Sequence, residues 1–179
     1  MRYLLNALVL TAVLTACVST PAPKTSYNQG VEAFRSKDYR AAREHWAKAI
    51  DSGDISALNN LGYLLFYGLG GEQDHSQAIA LWKKAAYSAH SEAQWHLGVA
   101  YERGEGVPEN LEEAYAWYRC SVASAAAAPS TDEPEAEILK DASKSLAKLL
   151  GRLPPDRFAN AEALAKKYVS QYSRRSAGA

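Results

Sequence analysis

Offset by 36 residues, the chain meets itself, and this self-similarity narrows the possible folds more than any other feature of the sequence. Ala57 matches Ala93, Leu61-Gly62 matches Leu97-Gly98, and Gly68 and Gly70 match Gly104 and Gly106. Ala78 matches Ala114, Leu81 matches Trp117, and Trp82 matches Tyr118. One period earlier, Ala42 and Trp46 stand where Ala78 and Trp82 stand. Each unit carries two helical patterns. In the second, Leu58, Leu61, Gly62 and Leu65 fall at i, i+3, i+4 and i+7, one helix face. Gly68-Leu69-Gly70-Gly71 breaks that helix. Asp74 is placed to cap a second, on which Ala78, Leu81, Trp82 and Ala85 repeat the spacing. Gly62 and Gly98 each cost about 1 kcal/mol in mid-helix against Ala, so they require a packing reason. The large Trp or Tyr of the partner helix supplies it, since a bulky ring needs a small residue opposite. With 3 Phe and 1 Met in 179 residues, the core must be built from Ala, Leu, Tyr and Trp. The pattern predicts helix-turn-helix units, each burying its apolar face on the next.

These residues resemble the Sel-one-like repeat, a relative of the tetratricopeptide repeat. The best copy runs from Ala93 to Val122, with Leu97-Gly98, Tyr101, Gly104-Glu105-Gly106-Val107, Ala114 and Trp117-Tyr118. It departs from the pattern at Asn110, where Asp is usual, and at Arg119-Cys120-Ser121. The second copy, Ala57 to Ala86, has Gly71 in place of Val and keeps Asp74 and Trp82-Lys83-Lys84-Ala85-Ala86. The first, Tyr27 to Gly53, keeps Gly30, Ala42, Trp46 and Ala49. It lacks the Gly-x-Gly insertion, because Gly30 to Ala42 is 12 residues against 16 from Gly62 to Ala78. The resemblance implies an all-α fold, a short right-handed α-solenoid of about three repeats over residues 27–125.

Beyond the repeats, Pro129 stops the last repeat helix. Asp132-Glu133-Pro134-Glu135 reads as a capping box opening a helix to about Leu150, closed by Gly151. Pro154-Pro155-Asp156 opens a final helix to about Tyr172. This pair, residues 132–172, has the place of a C-terminal cap at the solenoid's open end. Residues 173–179 read as a tail.

The N-terminus reads as an address. A single charge, Arg2, precedes an apolar run from Tyr3 to Ala16, shorter than the roughly 20 residues a membrane-spanning helix needs. Leu14-Thr15-Ala16-Cys17 resembles the bacterial lipobox. The resemblance implies a signal peptide over residues 1–16, with Cys17 lipidated (palmitate among the acyl chains) and first in the mature chain. Several acyl chains anchor stably where one does not. Val18, in place of the Asp often found in inner-membrane lipoproteins, favours the outer membrane by the same resemblance. Residues 17–26, with Pro21 and Pro23, form a tether. The expected location is the cell envelope, lipid-anchored and facing the periplasm.

Catalytic constellations are absent from the sequence. Lys plus Arg and Asp plus Glu are 20 each, which argues against a nucleic-acid partner. The two cysteines exclude a disulfide framework or thiolate zinc site. The glycine loops lack a preceding strand and a Lys-Ser/Thr pair, so they read as turns rather than phosphate cradles. Of His45, His75, His90 and His96, only the last two are close in sequence, and their spacing of six puts them on different helix faces. All four read as surface or groove residues. Cys120 reads as an inert, partly buried thiol against the cap. Glu112 and Glu113 point to different faces. No metal site, cofactor or catalytic residue is expected. Charge is divided along the chain: residues 91–137 hold ten acids and two bases, residues 138–179 nine bases and three acids. Either the acidic third unit packs beside a basic cap, or the basic end faces anionic lipid or peptidoglycan.

The function expected is an envelope-anchored interaction module, a scaffold or assembly factor without catalysis. Its competitor is a periplasmic hydrolase of peptidoglycan or a β-lactam, for which no nucleophile and base pair is evident. In tetratricopeptide repeats the first helix of each unit lines a partner-binding groove. By that resemblance the groove residues are Tyr27, Val31 and Arg35, then Asn59, Tyr63 and Tyr67, then Trp95, Val99 and Arg103. Rigid aromatics of this kind suit an interface with a protein or peptide; the alternative is that they pack against the next repeat or the linker Thr20 to Lys24.

Overall fold

The computed structural model describes residues 25–128 and 133–173, and among them it holds eight α-helices and no strand. They are α1 (Ser26–Arg35), α2 (Tyr39–Asp51), α3 (Ile55–Phe66), α4 (His75–Tyr87), α5 (Ser91–Arg103), α6 (Leu111–Ala126), α7 (Glu133–Leu150) and α8 (Phe158–Tyr172). The signal peptide, Cys17, most of the tether, Pro129, the Asp132 cap and the tail beyond Ser173 lie outside the described residues. The first six helices form three antiparallel pairs, and each helix packs on the next.

Side chains fix where the repeat helices start. Asp38, Asp54 and Asp74 accept hydrogen bonds from the amides of Ala41, Ala57 and Gln77 at 2.8–3.0 Å. Asn110, the departure from Asp, caps equally well, accepting from Glu112 and Glu113. His90 Nδ1 accepts from the Ala93 amide at the start of α5.

The mid-helix glycines are close-approach sites. A Cβ on Gly62 would lie 2.7 Å from Trp82 Nε1, and one on Gly30 or Gly98 would enter the ring of Trp46 or Tyr118. The Gly62 and Gly98 pairings are the ones the sequence requires, and Gly30 with Trp46 repeats them in the first unit. The seams they close are dry: Trp82 is 1 % exposed, and Leu97 and Tyr118 are fully covered. Trp82 Nε1 also donates to the Asn59 carbonyl at 3.1 Å, pinning α4 to α3.

The glycine loops are turns that reach back to the preceding unit. Gly70 abuts the Tyr39–Arg40 backbone at the start of α2, and Gly106 abuts His75 at the start of α4. Both have positive φ, 76° in each case, a conformation glycine adopts without penalty. The first unit turns through Ser36–Asp38 instead, and among the described residues no helix precedes it to receive such a loop. Gly71, standing where the family pattern has Val, leaves space for Arg43. That guanidinium donates to the carbonyls of Leu64, Leu69 and Glu72 at 2.7–3.0 Å, clamping the loop.

The two C-terminal helices lie against the last repeat helix. Both α7 and α8 pack chiefly on α6, α7 also touching α5 and α8 also touching α4. The last helix starts at Phe158, about a turn later than the prolines suggest, after a turn in which the Arg157 amide donates to Pro154. Two bases of the C-terminal segment, Arg152 and Arg157, pair with acids of the third unit, and one pair, Arg119 with Glu162, runs the other way. Arg152 bridges Glu102 at 2.7 Å and Glu109 at 2.9 Å, Arg157 pairs with Glu112, and Arg119 pairs with Glu162. Buried Glu102 also accepts from the Tyr118 hydroxyl at 2.7 Å.

Candidate ligand-binding cleft

A cleft of about 530 Å³ opens between α1 and α3. Tyr27, Val31, Phe34 and Arg35 form its α1 wall, and Asn59, Asn60 and Tyr63 its α3 wall. Trp46 from α2 lies beneath and Glu92 from α5 closes one end. The wall is continuous aromatic surface: Phe34 lies 5.7 Å from Trp46 and 6.3 Å from Tyr63, centroid to centroid. Tyr63 in turn contacts Tyr67 at 4.7 Å, and Tyr67 is 48 % exposed.

A polar chain runs across the Tyr27 end. Asn60 Nδ2 donates to the Tyr27 hydroxyl at 3.5 Å, and Asn59 Nδ2 donates to Asn60 Oδ1 at 3.3 Å and to Glu92 Oε2 at 2.9 Å. Asn59 is 1 % exposed and its Oδ1 has no partner. Burial raises the Glu92 carboxyl above the usual range; the Asn59 hydrogen bond opposes the rise, and neighbouring Glu135 adds to it. Burial likewise raises the Tyr63 phenol, so it is a neutral hydroxyl at physiological pH.

His96 lies behind this wall. Its ring stacks on Trp82 at 4.5 Å with 12° between planes, and it is buried rather than on the surface or in the groove as expected. Burial, with His90 adding to it, lowers its pKa to about 3, so the ring is neutral. Its 3.8 Å separation from Glu92 is therefore not an ion pair at neutral pH.

The structure gathers five of the nine predicted groove residues, Tyr27, Val31, Arg35, Asn59 and Tyr63, into this cleft. Tyr67 adjoins Tyr63 just outside. The third unit's residues are placed differently. Trp95 Nε1 donates to Ser145 on α7 at 3.1 Å, and Trp95 and Val99 pack into a cluster that includes Leu146 and Leu149. Arg103 is exposed away from the cleft. Helix α7 thus covers the stretch of groove that the third unit offers. Four lining residues were not foreseen as such: Phe34, Trp46, Asn60 and Glu92. Glu92 sits in the first turn of α5, five residues before Leu97, and a rule taking three positions per helix passes over it.

Elsewhere, the Cys120 thiol is fully buried, contacts the Tyr168 carbonyl at 3.5 Å, and is pushed up to about 12 by burial. Among the described residues, no cluster of His, Cys, Asp and Glu could hold a metal ion, and no helix is long and apolar enough to cross a membrane.

The three helix pairs coincide with three matches to the Sel1 repeat, at residues 26–54, 55–90 and 91–124, just over half of the chain. The chain belongs to the Sel1 repeat family. The ERAD-associated E3 ubiquitin-protein ligase component HRD3A of Arabidopsis thaliana is 33% identical over 101 residues, which is 55% of this chain and 15% of that protein. DAP3-binding cell death enhancer 1 of Rattus norvegicus is 38% identical over 76 residues, 42% of this chain and 14% of that protein. The chain thus spans less than a sixth of the length of either of these two relatives. Among solved structures, a protective antigen of uropathogenic Escherichia coli strains displaying an SLR fold superposes with TM-score 0.65 at 28% identity, over 83% of this chain and 30% of that one. A Sel1 repeat protein from Oxalobacter formigenes gives 0.59 at 26% identity, over 79% and 55%. The SLR likeness extends beyond the repeats into the C-terminal helices, since 83% of the chain exceeds what the three repeats occupy.

Proposed function

We propose that this Sel1-repeat chain is a protein-interaction module without catalysis of its own, which takes a segment of a partner protein into the cleft between α1 and α3. The observation that carries the reading is an aromatic cleft between the first two units that no described residue fills, while α7 covers the third. Concave sites lined by aromatics with a few convergent polar groups are where ligands are held. The names of relatives point the same way: one is a component of a ubiquitin ligase and another is DAP3-binding. On this reading the module sits in the bacterial envelope, anchored through lipidated Cys17 and facing the periplasm from the outer membrane, which Arg2, the apolar run and Leu14-Thr15-Ala16-Cys17 support.

Two variants test the two parts. Cys17→Ala should leave the membrane fraction or accumulate as uncleaved precursor; wild-type fractionation and migration would contradict the anchor. Val31→Trp fills the cleft from a half-buried position. It should melt like wild type and lose whichever partner wild type retains after cross-linking in intact cells. Retention of that partner would contradict the cleft reading.

A further inference from the structure

The cleft is electrically divided along its length. At the Tyr27 end stands the Glu92 carboxylate, held by Asn59, with Glu135 of α7 close by across the adjoining hollow lined by Tyr27, Asn60 and Ser91. At the other end stands Arg35, exposed and outside any ion pair of the described residues. Between them lies the apolar surface of Val31, Phe34 and Tyr63. The nitrogen that faces Glu92 from within the fold, on His96, is neutral, so Glu92 receives no compensating positive charge there. The second signal is Asn59: almost wholly buried, it spends its amide nitrogen on orienting Glu92 and Asn60 while its carbonyl oxygen stays unpartnered. A half-buried carboxylate without a cation is held at a cost that an incoming positive charge relieves.

Tyr27 and Arg35 are eight residues apart on one helix, about 12 Å along its axis. An extended chain covers that distance in about four residues. Building on the cleft reading above, we propose that the bound segment is an extended peptide presenting a lysine or arginine to Glu92, an apolar side chain to the Phe34–Tyr63 surface, and an acidic group about four residues from the cation, at Arg35. Charge complementarity selects this occupant over an acidic or uncharged one. Among the described residues Glu92 has no charged cation beside it, so a cation arriving there would supply one, whereas a carboxylate would face another carboxylate.

The probe is a displayed library of random decapeptides, selected on the full chain carrying Cys17→Ser so that it is handled in solution. Binders are then re-screened on Val31→Trp and on Glu92→Gln, each in the same background. The expected result is that binders lost on Val31→Trp are enriched in Lys or Arg, with an acidic residue about four positions away. Replacing that Lys or Arg by Gln should weaken binding about tenfold on the parent and less than twofold on Glu92→Gln. Binders lost on Val31→Trp that show no basic preference, or an acidic one, overturn this inference and leave the cleft reading standing. Binders unaffected by Val31→Trp, or no binders at all, overturn both.

Discussion

Gly98 and Tyr118 show how one residue fixes a seam. The glycine is tolerated in α5 only because the Tyr118 ring occupies the place of its missing side chain. Gly98→Ala should therefore destabilise by about 1–3 kcal/mol, by overpacking rather than through helix propensity, which favours Ala. A denaturant midpoint equal to or above wild type would contradict that packing. His96 gives a second residue-scale prediction. Its folded pKa of about 3 lies below the ordinary value near 6.5. Between those values the unfolded chain binds a proton that the folded chain refuses, so stability is lost as pH falls below about 6.5, by at most about 1.4 kcal/mol per unit. His96→Phe keeps a ring against Trp82 and removes the titration. Its stability should vary less between pH 6.5 and 4 than that of wild type; an unchanged slope would mean that His96 titrates normally. Of these two residues only the glycine was legible in the sequence. A mid-helix Gly one period from another Gly announces a close approach, whereas nothing in the letters around His96 says that Trp82 of the neighbouring unit will cover it.

At the scale of elements, the glycine loops explain what the repeat spacing meant. The extra residues between the helices of the second and third units carry Gly70 and Gly106 onto the start of the preceding unit's second helix. In the third unit the contact is apolar, with Gly106 against Ile79 and Val107 in the same cluster. In the second, Arg43 stands 36 residues before Ile79, and Gly71 stands 36 before Val107. The swap of Val for Gly was visible in the sequence. Its partner was not, because Arg43 looks like any solvated helix arginine until its three carbonyl contacts are seen. Gly71→Val would bring a Cβ to 2.9 Å from the guanidinium and should cost about 1–3 kcal/mol. Arg43→Ile alone strips three carbonyls of their donor. The double variant recreates the third unit's pair, so it should lose less than the two single losses added, by at least about 1 kcal/mol. Additive losses in thermal or urea melts would show that the two positions are uncoupled.

Across the whole molecule, the three units and their order follow from periodicity, while the fate of the groove depends on the helices after it. The sequence marks Trp95 and Val99 as equivalent to Asn59 and Tyr63, and as repeat positions they are. Helix α7 lies over one pair and leaves the other open, a difference set by how α7 and α8 straddle α6 and by the pairs that Arg152 and Arg157 make with the third unit. The paired charges were legible as an imbalance between residues 91–137 and 138–179, without the partners. Glu92 was missed because it reaches the cleft from a third helix, which no single-unit rule includes. The measurement that bears most directly on the cleft is site-specific photo-cross-linking in intact cells, with a diazirine residue no larger than leucine, too small to fill the cleft as Trp does, at Val31 on the cleft wall or at Glu44 on the exposed side of α2. A covalent adduct to another protein should form from Val31 and not from Glu44. Adducts from Glu44 alone, or none from Val31, would contradict the assignment of this cleft as the partner site.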